Sequence, residues 1–531
     1  MTDEEKIEEA LERGSKAVQE EYDRILRKRY LEVVNSVTES LMSDPVNITL
    51  SGPAPEGLVT EEEFAERISV TESPFVTVDT ESQFDKALQD GKSMVLRGEG
   101  SGGIVDLTNP KTINHRFTTI TGNALLRFTL DQTLPGYLKR GITVHADDVT
   151  LSNFELISTQ PVATNDWYGI AFSEGSENHG HRLKLLNLHI HNWGRCISKD
   201  GSHITTTHSD VVINNCYFHT FRYHGAWLEF GMQRLCMRDT RIIGRLPGET
   251  HATHQAMRGG TNWEDCLVEN CLFKDVSEMG LELMVADYQY YHRRSKVRLC
   301  RSENCGSMGF STGFGEGLVI EKCVAKNVKW IGFEFQGRPP EYNPSGPYRY
   351  SQGIMDGCEV DGVTSKGPDG LSGSGQAIGF SIDGARDTSI RGGTRISNIT
   401  APLLKYGASG IVIASSERVS VQGTVLTDCG HVGIMAIRGD SPNTRGFHEL
   451  SGNTFRKSVP DNTAAEPAMH FAIYIADTSS VVRNNTSYQK TGTTLNFGCN
   501  VNPPAQVLVD NTVVGYGEKL FAGSNVIFPV S

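Results

Sequence analysis

A cysteine followed nine residues later by a glycine recurs along this chain, and this repeat restricts the fold more than any other feature. The pairs are Cys216 with Gly225, Cys271 with Gly280, Cys300 with Gly309, and Cys323 with Gly332. Around each pair, apolar and polar residues alternate in short segments that Asn, Asp and Gly separate. Alternation with a period of two indicates strands, and a fixed offset between copies indicates stacked repeats. We therefore expect an array of short strands.

The spacing of the repeats selects the architecture. Successive glycines are 29 residues apart from Gly280 to Gly309 and 23 apart from Gly309 to Gly332. Helical repeats would show a 3.6-residue period, and propeller blades would be regular units of about 40–45 residues. Coils of roughly 22–35 residues, stacked about 4.8 Å apart, fit a parallel β-helix instead. The cysteines would then form an inward ladder of small apolar side chains.

Composition and charge exclude several classes of protein. The 531 residues include 50 Lys and Arg against 63 Asp and Glu, a net charge of −13. Such an acidic chain is a poor match to nucleic acid, and no apolar run approaches the ~18 residues of a membrane span. The acidic first ten residues do not resemble a signal peptide.

The 11 cysteines contain no CxxC motif. We expect no metal and no cofactor.

The N-terminal part differs from the repeats. Residues 1–43 carry apolar residues at partly heptad spacing, which predicts a helix that joins copies or docks on a partner, or else a solvated helix packed on the body. Residues 44–75 are punctuated by Pro and Gly and are interpreted as a linker with small elements. A short helix is predicted over residues 80–88, with a capping box of Thr80 and Gln83. It would cap the open end of the β-helix in residues 76–531.

Two segments carry a resemblance to a known family. TVDTESQFDKALQDGKSMVLRGEG (77–100) and GITVHADDVTLSNFELI (141–157) resemble the first coils of the pectate-lyase-like superfamily, which are right-handed, single-stranded parallel β-helices. The resemblance covers about residues 73–531. With its helical N-terminal segment, the chain resembles bacteriophage tailspikes. This resemblance implies a homotrimer in the virion tail that binds, and often cleaves, host cell-surface polysaccharide. It also implies that residues 1–43 contact tail or baseplate proteins.

The repeat register predicts one polar face. In GLEL, GFEF and GFSID the residue after glycine is apolar and expected to point inward, so the second and fourth residues point outward. Carboxylates with an aromatic ring on one strip are typical of a groove that cleaves sugars. Tyr- and Arg-rich segments at 287–294 and 337–353 follow these strands, and a DWY run adds a further aromatic. The predicted binding residues are Trp227, Glu229, Arg258, Gln336, Tyr288, Tyr290 and Trp167.

Three carboxylates are the predicted acid–base residues: Glu282, Glu334 and Asp383. Two coils separate Glu282 from Glu334, which gives about 9.5 Å between their backbones. Carboxyl groups about 6.5–9.5 Å apart are typical of inverting glycosidases. Glu334 and Asp383 on adjacent coils would suit a retaining pair at about 5–5.5 Å. Burial decides which group is the acid, so the sequence leaves that assignment open.

Other interpretations compete with a hydrolase. A spike that only binds glycan would use the same strip, and outward carboxylates also keep solenoid surfaces solvated. A polysaccharide lyase would use Arg258 with Tyr288 or His292. A free-standing bacterial lyase or epimerase is disfavoured, since no signal peptide is seen. His179, His181, His189 and His191 are interpreted as surface histidines.

Overall fold

The computed structural model of the chain describes most of the β-helix body. Its described residues are 75–98, 103–131, 133–134, 139–172, 180–199, 207–284, 292–313, 315–337, 352–365, 375–401, 407–437, 446–457, 471–476, 479–489, 496–499, 507–514 and 519–520. The predicted helical segment 1–43 and all of the predicted linker except Phe75 lie outside these residues. Tyr288 and Tyr290 also lie outside them.

Three parallel sheets run along the molecule, and each coil of the chain contributes a strand to each sheet in turn. The first sheet has 16 strands in chain order. The second and third together form a 28-stranded network, because the two long strands His189–Lys199 and Tyr217–Phe230 belong to both. Parallel pairing of each strand with its counterpart one coil on is the arrangement expected of a β-helix. The predicted all-β parallel β-helix is confirmed.

The strands of each sheet have the following bounds. The first sheet contains Val76–Val78, Met94–Leu96, Thr119–Gly122, Thr150–Ser152, Lys184–Leu186, Val212–Asn214, Cys236–Arg238, Leu267–Glu269, Lys296–Arg298, Val319–Glu321, Ile354–Asp356, Ser389–Arg391, Ser420–Gln422, Gly446–Ser451, Ser479–Arg483 and Val507–Val509. Besides the two long strands, the second sheet contains Ile104–Leu107, Leu125–Phe128, Glu155–Ser158, Arg241–Ile243, Leu272–Lys274, Arg301–Glu303, Val324–Lys329, Glu359–Thr364, Arg395–Thr400, Val425–Cys429, Thr454–Lys457, Thr486–Gln489 and Thr512–Val514. Besides the two long strands, the third sheet contains Lys111–Ile113, Arg140–Val144, Tyr168–Phe172, Gln255–Thr261, Leu281–Met284, Met308–Gly313, Ile331–Gln336, Ala377–Asp383, Ala408–Ala414, Val432–Ile437, Phe471–Ala476, Asn496–Cys499 and Lys519–Leu520. Two short ladders pair His208–Ser209 with Met232–Gln233, and His292–Arg293 with Gly315–Glu316.

The capping helix predicted at the start of the body is present as Glu81–Gln89. Thr80 is its N-cap, and both bonds of the predicted capping box with Gln83 form. The helix buries Phe84 and Ala87 against the first coils. Lys111, from the third sheet, is almost fully buried and pairs with Glu81 at 2.7 Å and with Asp85 at 2.6 Å. This buried lysine ties the helix to the coil beneath it.

The cysteine–glycine repeat has a direct structural cause. Each cysteine precedes a strand of the second sheet and points into the core, where Cys271, Cys300 and Cys323 are buried and reduced. Each glycine opens a strand of the third sheet at a crowded point. A Cβ atom on Gly309 would stand 2.7 Å from the carbonyl oxygen of Gly332 in the next coil. The nine-residue offset is therefore the path from one corner of the coil to the next.

The core is organised as ladders along the axis. Phe310 stacks on Phe333 with ring centroids 4.7 Å apart, and Phe333 stacks on Phe380 at 4.8 Å. These distances equal the separation of adjacent strands, so each coil places its ring directly on the last. At the corner used by the cysteines, the C-terminal coils instead carry Asn453, Asn485 and Asn511. Within the described part of the chain, no helix is long and apolar enough to cross a membrane.

Candidate active site on the third sheet

The outer face of the third sheet carries a row of polar residues at one register. Along the axis, the successive partners are Trp227, Arg258, Glu282, Ser311, Glu334 and Ser381. Two residues further along their strands, Gln336 pairs with Asp383. We call these eight residues, with Glu229 beside them, the acidic strip. The strand pairing agrees with the predicted register, including two coil steps between Glu282 and Glu334 and one between Glu334 and Ser381.

Glu334 is the most strongly perturbed carboxyl group of the strip. Its side chain points away from the phenylalanine core, yet the residue is only 6% exposed. Burial raises the pKa of Glu334 to about 7, and the nearby charges of Asp383 and Glu282 act in the same direction. The Ser311 hydroxyl opposes this by donating a 2.7 Å hydrogen bond to Glu334 Oε2. Glu334 can therefore hold a proton near neutral pH.

Glu282 is in a different environment two coils away. Burial raises its pKa as well, and the carboxylates of Glu229 and Glu278 add to the effect, but Arg258 opposes it. Arg258 Nη1 lies 3.6 Å from Glu282 Oε2, which has no hydrogen-bond partner among the described residues. This oxygen is buried beside Arg258 and keeps the capacity to accept a further hydrogen bond. Arg258 thus favours the ionised form of Glu282, a source of stabilisation that Glu334 lacks.

Glu229 anchors the other side of Arg258. Trp227 Nε1 donates a 2.7 Å hydrogen bond to Glu229 Oε2, and Arg258 Nη2 donates a 3.3 Å bond to Oε1. Because both carboxylate oxygens are engaged, Glu229 is suited to orient Trp227 and Arg258. The three glutamates therefore differ in their surroundings: Glu229 is paired, Glu282 is partly paired, and Glu334 is buried beside a serine.

A cluster of rings and one cation forms the N-terminal end of the strip. The guanidinium of Arg195 lies 3.7 Å from the Trp227 ring centroid and 4.7 Å from that of Tyr168. Arg195 Nε also donates a 3.3 Å hydrogen bond to His224 Nδ1. Burial lowers the pKa of His224 well below its usual range, and the charges of Arg195 and Arg258 lower it further, so His224 is neutral. Arg195 therefore covers one face of the Trp227 ring.

At the C-terminal end, the strip becomes apolar. Ser381 pairs with Val412, and Val412 pairs with Met435. Val412 belongs to a small buried cluster outside the main core, together with Met308, Ile331 and Ile378. Trp330 packs against this cluster, and its Nε1 has no hydrogen-bond partner among the described residues. Along the outer face of the third sheet, the charged residues are therefore followed by apolar residues toward the C-terminal end.

Two of the sequence predictions were wrong. Trp167 does not stand in the groove, because it is 2% exposed and packs in the main core. Its neighbour Tyr168 is the ring that faces the strip. His292, the alternative lyase base, is fully buried in the short ladder with Gly315 and lies outside the third sheet. Its burial lowers the pKa to about 4.

Several residues of the site were not singled out from the sequence. Tyr168, Arg195 and His224 are successive partners at one register of the third sheet. Aligning YGIAF, RCISK and HGAWL as three consecutive coils would have revealed this row. Trp330 gave no such signal, because it lies in a turn where the alternation of inward and outward side chains does not apply.

Comparison with known proteins supports the fold. No family model and no curated protein matches the chain. The N-terminal fragment of gene product 12 of bacteriophage Phi29 is similar in structure, with a TM-score of 0.51 and 12% identity over 86% of this chain and 74% of that chain. Weaker similarity links the chain to tailspike protein 3 of bacteriophage CBA120 (TM-score 0.42, 11% identity, 94% and 67% covered). The tailspike of E. coli bacteriophage HK620, in complex with a pentasaccharide, has a TM-score of 0.46 and 9% identity over 92% of this chain and 86% of that chain. The similarity to the Phi29 fragment is a likeness of fold and agrees with the predicted parallel β-helix.

Proposed function

We propose that this chain is a tailspike-like protein that binds a cell-surface polysaccharide along the acidic strip and cleaves it as a glycoside hydrolase. The observation that carries the proposal is the pair Glu282 and Glu334, two coils apart on one outer face and in unequal environments. Two coil steps separate their backbones by about 9.6 Å, close to the separation of about 6.5–9.5 Å between carboxyl groups that is typical of inverting glycosidases.

The environments assign the two roles. Glu334, with a pKa of about 7, is the general acid that protonates the glycosidic oxygen as the bond to the anomeric carbon breaks. Glu282 is held nearer its ionised form by Arg258 and is the general base. It takes a proton from the water that attacks the anomeric carbon on the opposite face of the sugar ring. The expected product has inverted configuration. Asp383, on the coil beyond Glu334, helps to keep the acid protonated.

The charge of the strip indicates the class of glycan. Glu229, Glu282, Glu334 and Asp383 face a single guanidinium, that of Arg258, within the strip. A polyanionic sugar would be repelled here, so the proposed substrate is neutral or amino-substituted. The same argument disfavours the lyase interpretation, since lyases act on acidic sugars.

A specific observation favours a second function, glycan binding without cleavage. Glu282 and Glu334 are each only 6% exposed, and Arg195 covers one face of the Trp227 ring. If these contacts persist with glycan bound, the strip is a binding surface whose carboxylates only accept hydrogen bonds.

For either function, we propose that the protein is a homotrimer in the tail of a virion, with residues 1–43 contacting other tail proteins.

The proposal is tested with polysaccharides purified from a panel of bacterial surfaces. Chain length is followed by size-exclusion chromatography, and anomeric configuration by NMR during the reaction. Wild type should shorten one neutral glycan with inversion, and Glu334→Gln and Glu282→Gln should each lose about 10²–10⁴-fold in rate. Glu359→Gln, an exposed carboxylate on the second sheet, is the matched control. Undiminished cleavage by Glu334→Gln would move the site elsewhere. Binding without shortening would establish the second function.

A further inference from the structure

Three histidines from two consecutive coils meet on the outer face of the second sheet, away from the acidic strip. His189 and His191 lie two residues apart on one strand, and His191 pairs across the sheet with His219. One ring nitrogen from each of the three lies within 4.8 Å of the others. On the preceding coil, Glu155 pairs with His189. Four side chains with metal-ligating atoms therefore stand together over three coils.

The contacts within this cluster leave room for a shared cation. His189 Nε2 and His219 Nε2 are 2.7 Å apart. Two imidazole nitrogens at that distance repel through their lone pairs unless a proton or a metal ion lies between them. Glu155 Oε1 is 2.8 Å from His191 Nε2 and 3.7 Å from His189 Nδ1, so an anionic oxygen adjoins two of the three rings.

A hydrogen-bond relay fixes the tautomer of one ring. His219 Nδ1 is 2.8 Å from the Thr220 hydroxyl, which donates its own proton to Glu249 at 3.0 Å. Since that hydroxyl has a single proton, it accepts the N–H of His219 Nδ1. Nε2 of neutral His219 therefore presents a lone pair to the cluster. A second-shell acceptor on the far nitrogen is the usual arrangement of a metal-bound histidine.

We propose that His189, His191 and His219 form a binding site for a zinc ion that joins two successive coils, with Glu155 of the preceding coil beside it. Three imidazole nitrogens, with a water molecule in the fourth position, suit zinc in tetrahedral geometry. Donor atoms about 2.0–2.1 Å from zinc stand about 3.3 Å apart, so binding requires the His189 and His219 nitrogens to separate by a few tenths of an ångström. The site is independent of the proposed glycan cleavage.

The test uses the full-length protein, stripped with EDTA and then dialysed against Zn²⁺ alone. Bound zinc is counted by elemental analysis, and Co²⁺ replaces zinc to report geometry through its visible spectrum. Wild type should take up one ion per chain, show tetrahedral Co²⁺ absorption and melt at a higher temperature with zinc. His191→Ala and His219→Ala should weaken binding by more than about 100-fold. His115→Gln, an exposed histidine elsewhere, should bind as wild type does.

Further variants keep the test decisive. If His219→Ala does not fold, replacement of the partly exposed ligand in His189→Asn provides the same comparison. Glu249→Gln leaves every ligand in place and should weaken zinc binding roughly 10–100-fold through the relay. No uptake by wild type would mean that the two imidazoles share only a proton, and it would overturn the proposal. Zinc uptake unchanged in the ligand variants would do the same.

Discussion

At the scale of single residues, the protonation of Glu334 has a consequence for stability. Its folded-state pKa of about 7 exceeds its ordinary 4.5, so folding favours the protonated form, and this contribution is lost as pH rises through about 7. The difference corresponds to about 3 kcal/mol. Glu334→Gln should therefore be more stable than wild type at pH 8 by up to this amount, and the two should converge near pH 4.5. Urea denaturation of both proteins at pH 8 and near pH 4.5 measures the difference between their free energies of unfolding. Glu359→Gln serves as the control variant, and a pH-independent difference for Glu334→Gln would contradict the assignment.

Ser311 tunes the same carboxyl group. Its hydroxyl donates to Glu334 and thereby lowers the pKa of Glu334. In Ser311→Ala that stabilisation of the carboxylate is gone, so the pKa should rise further. If Glu334 is the general acid, the alkaline limb of the pH–rate profile should move to higher pH. Ser381→Ala is the matched control, because Ser381 flanks Glu334 on the other coil at the same register and no hydrogen bond links the two. An unchanged limb in Ser311→Ala would argue against Glu334 as the acid.

At the scale of the elements, the asparagine ladder is the most exacting contact between coils. Asn485 Nδ2 donates to Leu450 O at 2.8 Å and to Asn511 Oδ1 at 2.9 Å, while its Oδ1 accepts from Asn453 N at 2.9 Å and from Asn453 Nδ2 at 3.0 Å. Removing this buried side chain leaves several polar groups without partners.

Asn485→Ala should therefore lower the free energy of unfolding by about 2–4 kcal/mol, at about 1–3 kcal/mol for each unsatisfied group. Chemical denaturation monitored by circular dichroism measures the loss. Asn114→Ala, at an exposed position, should change stability by less than about 0.5 kcal/mol. A loss for Asn485→Ala no larger than the control's would show that neighbouring coils compensate.

The sequence was most informative where one coil repeats the next. The glycine offset predicted which residues of Leu281–Met284, Ile331–Gln336 and Ala377–Asp383 face outward, and so placed Glu282, Glu334 and Asp383 on one strip. The offset does not extend to the corners of the coils, and Trp167, which the DWY run alone suggested as a binding residue, lies in the core instead. The sequence also did not predict burial. The raised pKa of Glu334 depends on the residues that surround the strip, and a local sequence pattern does not identify them.

The histidine cluster shows a related limit. His189 and His191 were visible as an alternating pair, but the third ring comes from a coil 28 residues later. Only the register of the second sheet brings His219 opposite His191. Ligands that lie on different coils are found by aligning coils, and the variable coil length hides that alignment in the sequence.

At the scale of the whole molecule, we predict that the full-length protein is a trimer. The expectation comes from the tailspike resemblance and the partly heptad spacing within residues 1–43. Light scattering should give three chain masses, and a monomer would contradict the prediction. A variant that lacks residues 1–43 separates two roles for that segment. If it stays trimeric, the segment docks on a partner, and if it becomes monomeric, the segment holds the copies together.

The continuous pairing of the three sheets also determines how the molecule bears a mechanical load. The hydrogen bonds between coils point along the axis, so a pull in that direction loads the hydrogen bonds of all three sheets at the same time. Separating two neighbouring coils then requires many backbone hydrogen bonds to break at once. Side-chain hydrogen bonds between coils, such as that of the Asn453–Asn485 pair, must break with them. A sideways pull on one strand would instead break bonds one after another. The molecule is accordingly stiffest along its axis.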